Sequence, residues 1–146
     1  VFGLGKKELD EPAEVSALHA DERTMLQYRY ASFYALLDGA GLEFGEDDVP
    51  AEVCDRPVGW WRAEPEGSRP DANDVVWSVG VMLGESLRDQ SRVEWRLLED
   101  AFGTSISLVC ERPEGDFILS PIDSVAKRFA GEPDGFVSKF FWGSWT

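Results

Sequence analysis

Few groups in this chain can make or break bonds. There is one histidine, His19, and there are two cysteines, Cys54 and Cys110. A Ser-His-Asp hydrolase would have to use His19 as its base. The strained nucleophile turn G-x-S-x-G is missing. Val76-Trp77-Ser78-Val79-Gly80 lacks the first glycine and Gly103-Thr104-Ser105-Ile106-Ser107 lacks the last. A cysteine nucleophile would need the same histidine beside Cys54 or Cys110. Neither arrangement is expected, and no catalytic residue is assigned.

Metal and phosphate chemistry fare no better. One histidine and two distant thiols do not make an ordinary zinc site. The Asp71–Asp74 stretch begins like a calcium loop, but Val76 and Met82 stand where that loop needs glycine and glutamate. Gly3-Leu4-Gly5-Lys6 lacks the earlier glycine of a phosphate loop, and Lys7 replaces its Ser or Thr. Gly80-Val81-Met82-Leu83-Gly84 lacks the third glycine of a dinucleotide fingerprint. Its glycines, one helical turn apart, point to something packed close against a helix. No metal and no cofactor is expected. Carboxylates remain the available working groups. Glu94 and Glu111 fall on the outward face of a hairpin, where pairing with Arg96 or Arg112 is the simpler role.

The elements that must hold these residues follow from periodicity. Leu26, Tyr30, Phe33 and Leu37 mark a helix from about Ala20 or Asp21 to Gly39 or Gly41. Val76, Gly80, Leu83 and Leu87 mark a second, from Asp71–Asp74 to about Gln90, capped by Asn73 or Asp74. Val93–Asp100 and Ile106–Cys110 alternate, and Phe117–Leu119 makes a third short strand. Ser120-Pro121 opens another helix, with Lys127 and Arg128 near its end. The pairs Phe136/Phe140 and Phe141/Trp145 predict a short helix in the tail. Residues 1–19 read as a loose arm. Residues 41–74, punctuated by Pro50, Pro57, Pro65 and Pro70, read as a long acidic loop. A structureless run of that length is uncommon, so it holds a short element around Ala51–Asp55 or serves a function. The expected fold is a single α+β domain over 1–146, a three-stranded antiparallel meander packed against helices.

The stretch from Leu83 to Glu132 resembles the DUF3806 family, small bacterial domains of unknown function. The likeness rests on Leu83-Gly84, Trp95 to Asp100, Phe102-Gly103, Phe117 to Pro121 and Ala126-Lys127-Arg128. It implies a fold rather than an activity.

Charge narrows the function classes. The chain carries 28 acidic against 14 basic residues, a net charge of −14. Nucleic acids and anionic membranes are polyanions and are disfavoured as partners. A basic protein partner, or a second copy of the chain, is the expected kind. The N-terminal VFGLGKKELDEP places its short apolar part before two lysines, the reverse of a secretory leader. The expected location is therefore cytoplasmic, where both thiols are free. Six tryptophans supply the contact residues most used at interfaces. Trp77 and Trp95 lie in regular elements and should be core. The expected partner-binding set is Trp60 and Trp61 with Glu46, Asp47 and Asp48 in the acidic loop, and Trp142 and Trp145 in the tail. The first functional expectation is a non-enzymatic protein-binding module. The alternative is a small-ligand protein or weak carboxylate enzyme, with a pocket between sheet and loop and Asp100 or Asp116 as working groups. A third is a subunit that docks through Phe136–Thr146.

Overall fold

A computed structural model describes residues 14–143 of the chain. The long helices lie where the periodicity puts them. Helix α1 spans Ala20–Ala40, starts at His19 with the Glu22 carboxylate accepting from the His19 N–H at 2.7 Å, and ends at Gly41 in the left-handed region, φ 70°. Helix α4 spans Ala72–Gln90, and its cap is Asp71, whose side chain accepts from the Asn73 N–H at 2.8 Å. From Val75 to Leu87 nearly every residue of α4 is buried. A helix apolar on all sides belongs in the middle of a fold, and α4 contacts α1 on one side and α5 (Pro121–Arg128) on another.

The sheet has four antiparallel strands in the order β1-β2-β3-β4: Glu14–Ser16, Glu94–Asp100, Gly103–Cys110 and Phe117–Leu119. The three-stranded meander therefore gains an edge strand from the last residues of the expected arm. Residues 1–13 of that arm lie outside the described residues. Strand β1 holds only three pairs, Glu14 with Glu99, Val15 with Leu98 and Ser16 with Leu97. Three residues offer no alternation to detect; the strand exists because β2 presents an edge for it. Trp95, Leu108 and Leu119 join the main core beneath the helices, while Leu98, Val109 and Ile118 form a small second cluster with Val15.

The acidic loop expected at 41–74 is a correction. It contains α2 (Pro50–Val53), the short element expected around Ala51–Asp55, and beyond it α3 (Asp55–Ala63) and a 3-10 turn at Glu66–Ser68. The prolines misled because of where they fall. Pro50 opens α2 and Pro57 sits in the first turn of α3, where no intrahelical N–H is required. The doublet Trp60–Trp61 is thus helical. The tail helix α6, Phe136–Gly143, is tied back to this region. The Asp55 carboxylate accepts from the N–H groups of Val137 and Ser138 at 2.9 and 3.0 Å, so a residue of α3 caps α6.

Candidate ligand groove

Both glycines of α4 are packing positions. A Cβ on Gly80 would lie 2.7 Å from the Ile122 Cα, and one on Gly84 would overlap the Trp95 ring. Trp95 thereby packs against α4 at Gly84 and donates its indole N–H to Glu85 at 2.8 Å. Glu85 also accepts from Arg88 at 2.9 Å, and Arg88 reaches on to Glu94 at 3.1 Å. The result is a connected row: Trp95, Glu85, Arg88, Glu94.

This row borders a cavity of about 570 Å³ between α1, α4 and the start of β2. Leu26 and Val81 give it apolar walls, and Arg23, Gln27 and Tyr30 project from α1 on the far side. Arg96 completes the rim; its guanidinium donates to the Trp95 carbonyl at 3.0 Å and stands 3.9 Å from Glu111. Arg23 donates to the Leu18 carbonyl at 2.6 Å. Three arginines thus meet two glutamates at one groove in a chain whose net charge is −14. The size and the mixture of apolar walls with a few placed polar groups suit a ligand site.

Of the carboxylates considered from the sequence, Glu94 lines the groove, whereas the expected partner-binding residues lie elsewhere. Trp61 is half-buried on Phe129, with ring centroids 4.9 Å apart, and donates its indole N–H to the Pro70 carbonyl at 2.8 Å. Arg69 lies over the same ring at 4.3 Å and bonds the Glu64 and Arg62 carbonyls that end α3. Trp60, one residue before, is also half-buried. Glu46 and Asp47 are exposed. Asp48 closes its own turn, accepting from the Gly45 N–H at 2.7 Å and from Arg56 at 3.0 Å. Trp142 is 52% exposed on α6, and Trp145 lies outside the described residues. Asp100 accepts from the Phe102 N–H in the β2–β3 turn, at the opposite end of β2 from the groove, and Asp116 is exposed in the β3–β4 connection. Of the expected contact residues, Trp61 and Asp48 are thus engaged within the fold, while Glu46, Asp47 and Trp142 are exposed.

The Arg56 guanidinium, and then the Gly45 N–H, hold the Asp48 carboxyl below its usual range. Because its folded pKa is the lower one, Asp48 contributes stability above the unfolded aspartate value of about 3.9 and loses it as pH falls through the folded value. Asp48→Asn should accordingly narrow the drop in urea midpoint between pH 5 and pH 3. An unchanged drop would show that the pair contributes nothing. Elsewhere, burial and then the Asp55 charge push the Cys54 thiol well up, as befits a core cysteine, and no disulfide joins it to Cys110. Tyr34 is pushed up to about 12 by its contact with the Tyr30 hydroxyl and by burial. Among the described residues no group of three or more His, Cys, Asp or Glu is placed to hold a metal, and no helix is long and apolar enough to cross a membrane.

The groove residues were hard to find in the sequence because each has an ordinary local explanation. Glu85 and Arg88 read as a surface pair three apart, and Trp95 reads as core. What unites them is the packing of Trp95 against Gly84, which brings the start of β2 under the last turns of α4. A model of the family described as a domain of unknown function, DUF3806, matches residues 63–141, more than half of the chain. The chain belongs to the DUF3806 family. The match is longer than the stretch that first suggested it, and it takes in all of α4, the meander, α5 and most of α6. The α4 and β2 walls of the groove are thus part of the DUF3806 segment, while α1 lies before it. No curated protein matches the chain. Among solved structures, a crystal structure of a protein from Bacteroides thetaiotaomicron VPI-5482, at 1.50 Å resolution, is similar at a TM-score of 0.66 and 16% identity. The similarity covers 92% of this chain and 47% of that one, so the chain spans about half the length of its structural relative. At that identity the likeness is one of fold.

Proposed function

We propose that this DUF3806 domain is a non-enzymatic binding module whose working surface is the groove between α1, α4 and β2. The observation that carries this reading is the meeting of Arg23, Arg88 and Arg96 with Trp95 and Tyr30 around one cavity of about 570 Å³. Binding is favoured over chemistry because the two glutamates of the groove are already engaged, Glu85 by Arg88 and Trp95 and Glu94 by Arg88. The groove is favoured over the Trp60–Trp61 face because the Trp61 ring, its N–H and its cation partner all serve internal packing. Overall acidity suits a basic partner, but charges farther than about 10 Å are largely screened at ordinary ionic strength. The local excess of guanidinium therefore sets the ligand chemistry at this groove.

The test is a substitution that fills the groove from its rim. Gln27 is exposed on α1 and lines the cavity. In Gln27→Trp, the ligand retained by the wild-type domain from host extract, detected by native mass spectrometry, should be lost while the thermal midpoint holds. Retention by Gln27→Trp together with loss in Trp60→Ser would move the contact to α3.

A further inference from the structure

We propose that the groove takes an extended peptide segment as an added strand along the free edge of β2 at Glu94–Arg96, with an acidic side chain of that segment set against Arg23 and Arg96. The inference rests on the groove being the working surface. It begins from a mismatch in strand length. Strand β2 has seven residues, and β1 covers only Leu97, Leu98 and Glu99. The pairing ends at Ser16, the chain continues through Ala17 and Leu18 into α1, and both of these residues line the cavity.

The direction of the backbone groups follows from the hairpin. Asp100 and Gly103 flank the two-residue turn Ala101–Phe102, so they form a hydrogen-bonded pair. Counting back in twos, Leu98, Arg96 and Glu94 bond β3, and Glu99, Leu97 and Trp95 direct their N–H and C=O groups to the opposite side. Glu99 and Leu97 face β1 there. Trp95 does not. Its carbonyl is covered by the Arg96 guanidinium at 3.0 Å, and its backbone N–H is bonded neither by β1, whose pairing stops at Leu97, nor by Ala17 or Leu18. An open strand edge of this kind is a template for another strand.

The cavity follows that edge. Glu94, Trp95 and Arg96 are consecutive, and all three line it. Side chains alternate between the faces of a sheet, so a pocket on one face would not take three in a row. A guest strand covering three residues is about 10 Å long. A peptide supplies both an acceptor for the Trp95 N–H and a donor to replace Arg96 on the Trp95 carbonyl, which a simple carboxylate does not. The acidic requirement comes from unspent donors. Arg88 is committed to two glutamates, whereas Arg23 meets no carboxylate among the described residues and Arg96 only approaches Glu111 at 3.9 Å. Arg96, released from the carbonyl by the guest, is then free for a carboxylate.

The probes are acetyl-Val-Glu-Val-Glu-Val-amide and its counterpart with glutamine at both glutamate positions. The glutamate peptide should bind at least about tenfold more tightly, and at saturation it should slow exchange of the Trp95 amide proton by about tenfold or more. Arg23→Gln should reduce the preference for the glutamate peptide. Binding that leaves Trp95 exchange unchanged overturns the added strand, and equal affinity for the two peptides overturns the acidic contact; the groove stands in both cases. If neither peptide binds while Gln27→Trp still loses its captured ligand, the peptide assignment alone fails. If Gln27→Trp loses nothing, the groove itself falls.

Discussion

Gly84→Ala destabilises the domain by about 2 kcal/mol, although alanine is the better helix former. Two effects of opposite sign meet at this position. Removing glycine from a helix interior contributes about 1 kcal/mol of stability. Forcing a methyl group into filled space costs about 1–3 kcal/mol, and more where the neighbour cannot move. Here the neighbour is the Trp95 ring, whose atoms the new Cβ would overlap. The ring is buried under α4, and its N–H is held by Glu85. It cannot swing out without breaking that bond and the row that continues through Arg88 to Glu94. Overpacking therefore wins. Urea unfolding read by tryptophan fluorescence gives the value, and the cause is checked by a double-mutant cycle. In a Trp95→Leu background the large ring is gone, so Gly84→Ala should be neutral or stabilising by up to about 1 kcal/mol. A wild-type background that tolerates alanine would mean that Trp95 and α4 do not touch as described.

The second large effect separates two adjacent tryptophans. Trp61→Ala should cost about 2–3 kcal/mol, below the full range for a buried tryptophan because Trp61 is only partly enclosed. Three interactions go together: the packing on Phe129, the N–H bond to Pro70 and the Arg69 guanidinium over the ring. Trp61→Phe keeps an aromatic surface and loses the hydrogen bond, so it should cost about 1 kcal/mol. Trp60→Ala, which breaks none of these contacts, should stay under about 1 kcal/mol. Equal costs at positions 60 and 61 would contradict this account of α3.

These two experiments bear on what could be learned from the sequence. The helices α1 and α4, the strands β2 to β4 and the close packing at Gly80 and Gly84 were legible because each leaves a local trace: a stripe every three or four residues, an alternation, a glycine where a helix would not choose one. The region 41–74 was not, because proline at a helix start looks like proline in a loop until the start is known. Strand β1 was not, because its pairing partner is far away in sequence. The groove was the least legible. Its walls come from α1, α4 and β2, and the bond between Trp95 and Glu85 has no signature within either segment. The charge argument also depended on scale. A net charge of −14 describes the whole surface and hides the cluster of arginines at one place on it.

The short strand β1 has a consequence for how the domain assembles. Its three partners, Leu97 to Glu99, are made more than half a chain length after it. The β2–β3 hairpin closes through a two-residue turn, an event of the order of microseconds, and β4 follows by a short connection. The first described residues should thus be among the last to find their place, because the entropy of closing so long a loop must be met before a ladder of only three residue pairs can offset it. During synthesis they wait, unpaired, until the meander emerges. Assembly of the sheet runs against the order of the chain.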